Sequence, residues 1–236
     1  MTQGHISDSV LVYIATGGRR ASSKKMTTRQ RRSHVYVSIC GPVAAGKTTL
    51  AVLLASHFGW SLLLEDLGTN PYLNDYYTDM PRWGFKTVIA FLVRALTLQD
   101  EIASRLTQEA ICQDWYVAEH YATYGIHTFN EGIIDERERQ TCEALHRYLM
   151  AHLTPPDLIV VLTADPATLL TRIARRQRAT EPEVPAAYVE NLVRLYDHWM
   201  STLEAPHLVV DTAAQDLVRD TNAQQRLISQ IAAALS

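Results

Sequence analysis

The sequence predicts an α/β fold in which a parallel β-sheet is covered by helices on both faces. Five short apolar runs alternate with longer segments of helical periodicity across residues 35–236. The runs are apolar throughout instead of alternating with polar residues, which is typical of strands buried on both faces. No internal repeat and no linker rich in Pro and Gly interrupts this region, so we expect one domain.

The first half of the domain opens with a β-branched run that ends at a glycine, at residues 35–40. A helical pattern follows at 48–58, and the apolar run SLLLE predicts a second strand at 61–65. Sustained helical periodicity over 84–108 predicts a long helix. The short run EAICQD then predicts a third strand at 109–114.

The second half continues the alternation. Residues 135–152 are helical in pattern, and the strongly apolar run DLIVVLT predicts a fourth strand at 157–163. Asp165 and Pro166 resemble an N-cap followed by proline at the first helical position, so a helix is expected to begin there. The last elements are a helix, a fifth strand and a closing helix, at 188–203, 207–211 and 221–235.

Composition excludes several classes of protein. Apolar residues make up 47% and charged residues 20%, with a net charge of −3, as in ordinary globular proteins. There is therefore no global positive field for nucleic acid, and no apolar run is long enough to predict a membrane partner. The three cysteines, Cys40, Cys112 and Cys142, lack CxxC spacing. They indicate free thiols in a reducing, cytoplasmic location and no zinc site.

The charge is unevenly distributed. Residues 1–34 contain seven basic groups and one acidic group, about +6, which leaves about −9 for 35–236. This N-terminal arm is rich in Ser, Thr and Gly and has no periodicity, so we interpret it as a disordered tail or as an upstream extension of a chain that starts at Met26. A targeting peptide or an anchor for an anionic surface is the alternative.

A phosphate-binding loop is the sharpest signal. The segment GPVAAGKT at 41–48 fits GxxxxGK[ST] and lies between a predicted strand and a predicted helix. Its glycines let backbone N–H groups turn toward phosphate oxygens, and the helix N-terminus adds a positive dipole end. Lys47 would reach the β- and γ-phosphates, and the Thr48 hydroxyl would bind Mg²⁺. The predicted nucleotide-binding residues are Gly41, Ala44, Ala45, Gly46, Lys47, Thr48 and Thr49.

Acidic residues end two of the predicted strands. Glu65 and Asp66 end the second strand, and Asp114 ends the third. The carboxyl edge of a parallel sheet is where such folds bind ligands, so Glu65 is placed to act as the base of an acceptor beside the phosphate loop. The base-reading motif of a GTPase and the acidic strand of a motor ATPase are both missing from the sequence.

Arginines follow the fourth strand. Arg172 and Arg176 are one helical turn apart, and Arg178 lies just beyond them. Such a cluster can neutralise a phosphoryl group during transfer. Favourable placement of cations at a helix C-terminus is the alternative.

Residues 35–211 resemble the deoxynucleoside kinases, particularly the bacterial deoxyadenosine/deoxyguanosine kinase type. The matching stretches occur in order: GPVAAGKTT, LLLED with NPYLNDYYTDMPRWGF, QDWYVAEHY, PPDLIVVLTADPATLLTRIARRQRATE and YVENLVRLYDHW. The resemblance implies a P-loop kinase fold with a five-stranded parallel sheet flanked by helices. It also implies ATP and Mg²⁺ as cofactors, a nucleoside-like acceptor, and a homodimer formed through two long helices.

The resemblance assigns roles to individual residues. Glu65 matches the general base that takes the proton of the 5′-hydroxyl. Tyr77 and Glu181 match residues that contact the sugar 3′-hydroxyl, and Asp114 matches a carboxylate of the Mg²⁺ or phosphate network. Trp83, on the acceptor side, matches a packing tryptophan that opens the long helix. The lid arginines that grip the donor phosphates are matched by Arg172, Arg176 and Arg178.

Departures from the family pattern concentrate on the acceptor. Trp115 and Tyr116 follow Asp114 where the family has Arg and Ser. Val88 stands in place of the glutamine that reads the base edge, and Ala95 in place of an arginine. Because an apolar side chain cannot replace the hydrogen bonds of an amide, base recognition must be altered. Trp115 could stack on a base or fill its space.

Two functions from different classes follow. The first is ATP-dependent phosphorylation of the 5′-hydroxyl of a (deoxy)nucleoside or a nucleoside-like acceptor, with Glu65, Lys47, Arg172 and Arg176 as the catalytic groups. The second is a catalytically degenerate protein that keeps the fold for nucleotide binding or assembly. Another small-molecule P-loop kinase is a third possibility.

Overall fold

A computed structural model describes residues 34–176 and 184–236 of the chain. Almost all of the predicted basic arm, residues 1–33, therefore lies outside the described residues. The same holds for two of the predicted site residues, Arg178 and Glu181.

The described residues form a five-stranded parallel sheet flanked by helices, which confirms the predicted α/β class. Its strands pair in the order β2-β3-β1-β4-β5. Helices cover both faces because each strand is joined to the next by a crossover connection. The strands are β1 (Tyr36–Cys40), β2 (Ser61–Leu64), β3 (Ile111–Asp114), β4 (Leu158–Thr163) and β5 (His207–Asp211).

The helices match the predicted alternation, with two additions. A short helix precedes the long one, and a continuous helical stretch follows β3, in which a π-helical segment (Tyr121–Gly125) joins α4 to α5. In chain order they are α1 (Lys47–Phe58), α2 (Leu73–Tyr76), α3 (Met80–Arg105), α4 (Val117–His120), α5 (Ile126–Asn130), α6 (Glu136–His152), α7 (Pro166–Arg176), α8 (Ala186–Ser201) and α9 (Thr221–Ala234).

The long helix α3 begins four residues before the predicted start at Gly84. The Asp79 side chain accepts a 3.2 Å hydrogen bond from the backbone N–H of Arg82, and Pro81 lies in the first turn. This cap and proline are local start signals. They were overlooked because the apolar periodicity becomes regular only after the first turn.

The helical stretch from Val117 to Asn130 was not predicted. Nearly all of its first half is buried, so no polar face alternates with an apolar one and the amphipathic signal disappears. The run also contains many aromatic and β-branched residues, which are weak helix formers. Tertiary packing therefore stabilises this helix, and π-helical segments of this kind are often found at functional sites.

Strand order decides which side chains reach the phosphate loop. β3 lies between β1 and β2, and Asp114 pairs in register with Ile39 of β1. Asp114 is thus on the strand next to the loop. Glu65 follows β2, an edge strand, so it is one strand farther from the loop than Asp114.

Two apolar cores lie on opposite faces of the sheet. One packs α3, α6 and α8 with the helical stretch that follows β3, and includes Leu92 and Trp115. The other packs α1, α7 and α9, and includes Leu50 and Leu227. Within the described ranges, no helix has the length and apolar character needed to cross a bilayer.

Candidate active site

A cavity of about 1880 Å³ opens at the carboxyl ends of the strands. It joins the phosphate loop to the segment that follows β2 and to the start of α3. Most of the predicted site residues line it, whereas Gly41 and Trp83 do not. Those in its wall are Ala44, Ala45, Gly46, Lys47, Thr48, Thr49, Glu65, Tyr77, Val88, Asp114, Trp115, Arg172 and Arg176.

The phosphate loop has the backbone geometry that the motif predicts. Gly46 has φ 105° and Ala44 has φ 63°, both in the left-handed region, and α1 begins directly afterwards at Lys47. Gly41 has φ 145°, and a Cβ there would lie 2.6 Å from the carbonyl oxygen of Leu162. Only glycine is therefore accommodated at position 41.

Lys47 folds back over the loop. Its Nζ donates hydrogen bonds to the carbonyl oxygens of Gly41 at 2.7 Å and Pro42 at 3.4 Å. These carbonyls hold the ammonium group at the mouth of the loop, where a triphosphate would compete for it.

Thr48 and Asp114 meet across the loop. The Thr48 hydroxyl donates a 2.5 Å hydrogen bond to Oδ2 of Asp114. Asp114 is only 3% exposed, and its Oδ1 has no hydrogen-bond partner among the residues that the structure describes. A hydroxyl and a carboxylate with an uncommitted oxygen are hard oxygen ligands, which suit Mg²⁺.

A buried network that the sequence analysis missed holds Gly41. Its N–H donates a 3.0 Å hydrogen bond to Oε1 of Glu119, and its carbonyl accepts a 2.8 Å bond from the Tyr196 hydroxyl. Tyr196 also hydrogen bonds to Oε1 of Glu119. Burial raises the pKa of the Glu119 carboxyl, and the nearby Lys47 charge opposes that shift. The only sequence feature that could have indicated this network is the carboxylate of Glu119, which stands alone in a run of aromatic and apolar residues.

The guanidinium of Arg172 hydrogen bonds to other residues of the protein, although Arg172 also lines the cavity. Its guanidinium donates to Thr212 Oγ1 at 2.9 Å and to the Thr212 carbonyl at 2.6 Å, and reaches the carbonyls of Ala44 and Ala45 at 3.5 Å. These contacts join α7 to the phosphate loop. Arg176, one turn further on, also lines the cavity.

The loop after β5 is a second part of the cavity that sequence reasoning missed. It carries no charge pattern or motif that marks it, and it reaches the site only because β5 lies two strands from β1. Its lining residues are Thr212, Ala213, Gln215, Asp216, Leu217, Val218 and Arg219.

The acceptor side of the cavity gathers Glu65, Tyr77 and Tyr124. Glu65 is half-buried, and Tyr77 is 43% exposed. Burial and the charges of Glu119 and Glu65 raise the pKa of the Tyr124 phenol, with a smaller contribution from Tyr77. The proposed base and the proposed sugar contact thus share one space.

Other residues singled out on α3 pack away from the cavity. Trp83 stacks on Tyr72 with ring centroids 5.8 Å apart, and the Nζ of Lys86 lies 4.3 Å from its ring centroid. Ala95 is 4% exposed in the core. Trp83 is therefore a packing residue at the start of the helix, and Val88 is the departure on α3 that faces the cavity.

Trp115 has a strained backbone. Its φ is 149°, a conformation that residues other than glycine rarely adopt, and its carbonyl accepts a 3.0 Å hydrogen bond from the Ser38 hydroxyl. Its ring lies 5.9 Å from that of His120, which packs 4.2 Å from Phe91. Burial, followed by the Lys47 charge, lowers the pKa of His120 to about 3, so this imidazole is neutral.

Buried polar atoms without partners concentrate in the cavity wall. Among the described residues five such side-chain atoms occur, and four of them belong to cavity residues. Native proteins rarely leave buried polar groups unpaired, so this clustering points to a polar ligand. The four atoms are Thr87 Oγ1, Asp114 Oδ1, Trp115 Nε1 and Glu119 Oε2.

Comparisons with known proteins agree with this geometry. A deoxyadenosine/deoxycytidine kinase of Bacillus subtilis (strain 168) is 28% identical over 204 residues, which cover 84% of this chain and 92% of that protein. A deoxyadenosine kinase of Dictyostelium discoideum is 30% identical over 169 residues, covering 71% of this chain and 67% of that protein. A solved deoxyadenosine kinase from M. mycoides, with products bound, has a TM-score of 0.73 at 22% identity and covers 84% of this chain and 100% of its own.

Residues 37–236 match the family model described as deoxynucleoside kinase, which spans most of the chain. The match includes the phosphate loop, both acidic strand ends and α7, the elements that build the cavity. The chain therefore belongs to the deoxynucleoside kinase family, and transfer of a phosphoryl group to a nucleoside hydroxyl is its class of reaction.

Proposed function

We propose that the protein transfers the γ-phosphoryl group of ATP to the 5′-hydroxyl of a nucleoside. The observation that carries the proposal is the single cavity in which the phosphate loop, Asp114, Glu65 and most of the buried unpartnered polar atoms lie together. Phosphoryl transfer depends mainly on positioning and charge neutralisation, and these groups supply both.

The donor end would hold the triphosphate on the loop 41–48. Its backbone N–H groups and the N-terminus of α1 favour the phosphate oxygens, and Lys47 would exchange its bonds to loop carbonyls for bonds to the phosphates. Thr48 and Asp114 fit Mg²⁺, since they meet at 2.5 Å and Asp114 Oδ1 is uncommitted. Bound there, the ion supplies charge neutralisation.

The acceptor end would hold the nucleoside between Glu65, Tyr77 and the first turns of α3. Glu65 takes the proton of the 5′-hydroxyl as that oxygen attacks the γ-phosphorus. Arg176, in the cavity wall, would contribute charge toward the transferring group. Arg172 would act mainly by bracing the loop, because its guanidinium is occupied by Thr212.

The degenerate alternative has one observation in its favour. The family's arginine beside the base is replaced by Trp115, and no lysine or arginine follows it before Arg137 in the sequence. Against it, Lys47, Thr48, Glu65 and Asp114 all face one cavity, which a purely structural protein would have little reason to retain. We therefore favour the active kinase.

The assembly we propose is a homodimer formed through α3 and α6. These helices pack against each other and carry exposed apolar side chains: Val93 is 46%, Leu96 39% and Tyr148 58% exposed. Large apolar residues grouped on neighbouring helices are typical of an interface. A cytoplasmic location remains part of the proposal, on the basis of the cysteines.

A transfer assay with γ-labelled ATP tests the proposed function. The acceptors would be deoxyribonucleosides, ribonucleosides and modified nucleosides. Glu65→Gln is expected to lower turnover about 10²–10⁴-fold, the usual contribution of a general base, while ATP affinity is preserved. Asp66→Asn is the matched control, because Asp66 accepts a 3.0 Å hydrogen bond from Gly68 N–H and an amide oxygen can do the same. Transfer to no acceptor, with ATP still bound, would favour the degenerate protein.

A further inference from the structure

We infer that Thr87 and Trp115 bind the base of the acceptor through hydrogen bonds. The valine at position 88 cannot form such bonds. The inference rests on the proposed function and specifies which ligand chemistry the acceptor end selects. It starts from two of the unpartnered buried atoms, Thr87 Oγ1 and Trp115 Nε1, which the phosphate end of the cavity does not explain.

Thr87 precedes Val88 on α3 and lines the cavity while being only 5% exposed. A buried helical threonine ordinarily bonds its hydroxyl to the carbonyl one turn earlier, but within 34–176 and 184–236 Thr87 Oγ1 has no partner. Its backbone is well satisfied, since its carbonyl accepts a 3.1 Å hydrogen bond from Asn70 Nδ2. The unpaired group at Thr87 is therefore the side-chain hydroxyl and not the backbone carbonyl.

Trp115 approaches the same space from the end of β3. It is 5% exposed, and its indole N–H is a donor that has no acceptor in the described part of the chain. The φ of 149° and the bond from the Ser38 hydroxyl fix the backbone that aims this ring. Strained residues held by their surroundings are concentrated at functional sites.

Aromatic rings line the wall between these two residues. Phe91, one turn after Thr87, packs against His120, and the His120 ring is next to Trp115. His120 is neutral because of its burial. A planar neutral ring can stack on these side chains and accept a hydrogen bond.

The selected class is accordingly a neutral nucleobase that presents a carbonyl oxygen or ring nitrogen to the Trp115 N–H and any polar group to the Thr87 hydroxyl. Both atoms are covered in the structure, so a rotation about χ1 of either side chain must accompany binding. Because the two contacts are single hydrogen bonds, several bases satisfy them.

Two substitutions test the assignment. Thr87→Val removes the hydroxyl and Trp115→Phe removes the indole N–H, and each is expected to weaken nucleoside binding about tenfold while ATP affinity is unchanged. The measurement is calorimetric titration with deoxyadenosine, deoxyguanosine, deoxycytidine and thymidine. Thr87→Val should not lower Tm, since it removes a buried group that has no partner.

Thr97→Val is the matched control on α3. Its hydroxyl bonds to the Arg94 carbonyl at 2.9 Å, and it lies outside the cavity wall, so nucleoside affinity should be unchanged. Unchanged nucleoside affinity in both Thr87→Val and Trp115→Phe would overturn the inference and leave the proposed function standing. Binding of ATP but of no nucleoside by the unaltered protein would overturn both.

Discussion

The backbone N–H of Gly41 donates a 3.0 Å hydrogen bond to Oε1 of Glu119, a carboxylate of α4 that is 2% exposed. The Tyr196 hydroxyl, on α8, hydrogen bonds to the Gly41 carbonyl at 2.8 Å and to the same carboxylate oxygen. The first glycine of the phosphate loop is thus held at both its N–H and its C=O by two side chains distant in sequence.

Tyr196→Phe should weaken ATP binding about tenfold, because Gly41 and Glu119 lose a shared buried hydrogen-bond donor when Lys47 turns toward the phosphates. Nucleoside affinity should change much less. Calorimetric titration with ATP and with a nucleoside gives the two values. Tyr121→Phe is the matched control, since the Tyr121 hydroxyl reaches only the Arg139 carbonyl, at 3.4 Å. Equal loss of both affinities would indicate a general packing defect instead.

Thr48→Val should raise the Mg²⁺ concentration needed for half-maximal transfer at least tenfold, because it removes one hydroxyl ligand and the bond to Asp114. Thr48→Ser restores the hydroxyl and should largely restore the Mg²⁺ response. Initial rates measured over a range of Mg²⁺ at saturating ATP provide the test. An identical Mg²⁺ dependence in all three proteins would remove Thr48 from the metal site.

The buried imidazole of His120 should cause the free energy of unfolding to decrease in mild acid. Burial lowers its folded-state pKa to about 3, below the usual value near 6.5, so the unfolded chain binds the extra proton as pH falls through that window. The stabilising contribution is complete above pH 6.5 and is lost toward pH 3. His146, whose pKa burial lowers to about 4, acts in the same direction.

His120→Phe keeps a ring beside Phe91 and removes this titration. When the pH falls from about 7.5 to about 5, the free energy of unfolding should decrease in both proteins. The decrease should be about 2 kcal/mol smaller in His120→Phe than in the unaltered protein. Urea denaturation at the two pH values measures the difference. The same acid loss in both proteins would show that His120 does not contribute to it.

Leu96→Glu and Tyr148→Glu should produce monomers, because each places a charge on the exposed apolar face of α3 and α6. Sedimentation equilibrium gives the oligomeric state, and far-ultraviolet circular dichroism checks that the fold is retained. Val218→Glu changes a residue that is 70% exposed on the loop after β5, so it serves as an exposed apolar control. A monomeric unaltered protein at micromolar concentration would contradict the dimer.

Much of the fold could be predicted from local sequence. The five strands, the long helix and the phosphate loop all have short-range signatures: apolar runs, helical periodicity and GxxxxGK[ST]. The fifth strand was predicted with its observed bounds, His207–Asp211, and Asp135 forms a capping box with Glu138 at the start of α6. The helix 117–130 lacked such a signature, since burial on all sides removes the periodicity.

The sequence by itself determined that the chain forms a parallel α/β sheet with a phosphate loop, because these features depend on spacing along the chain. The tertiary structure decided which side chains surround that loop. Asp114 meets Thr48 because β3 pairs with β1, and Glu119 and Tyr196 reach Gly41 from α4 and α8. Such contacts join residues 66 to 155 positions apart. They follow from strand order and helix packing, which no local pattern encodes.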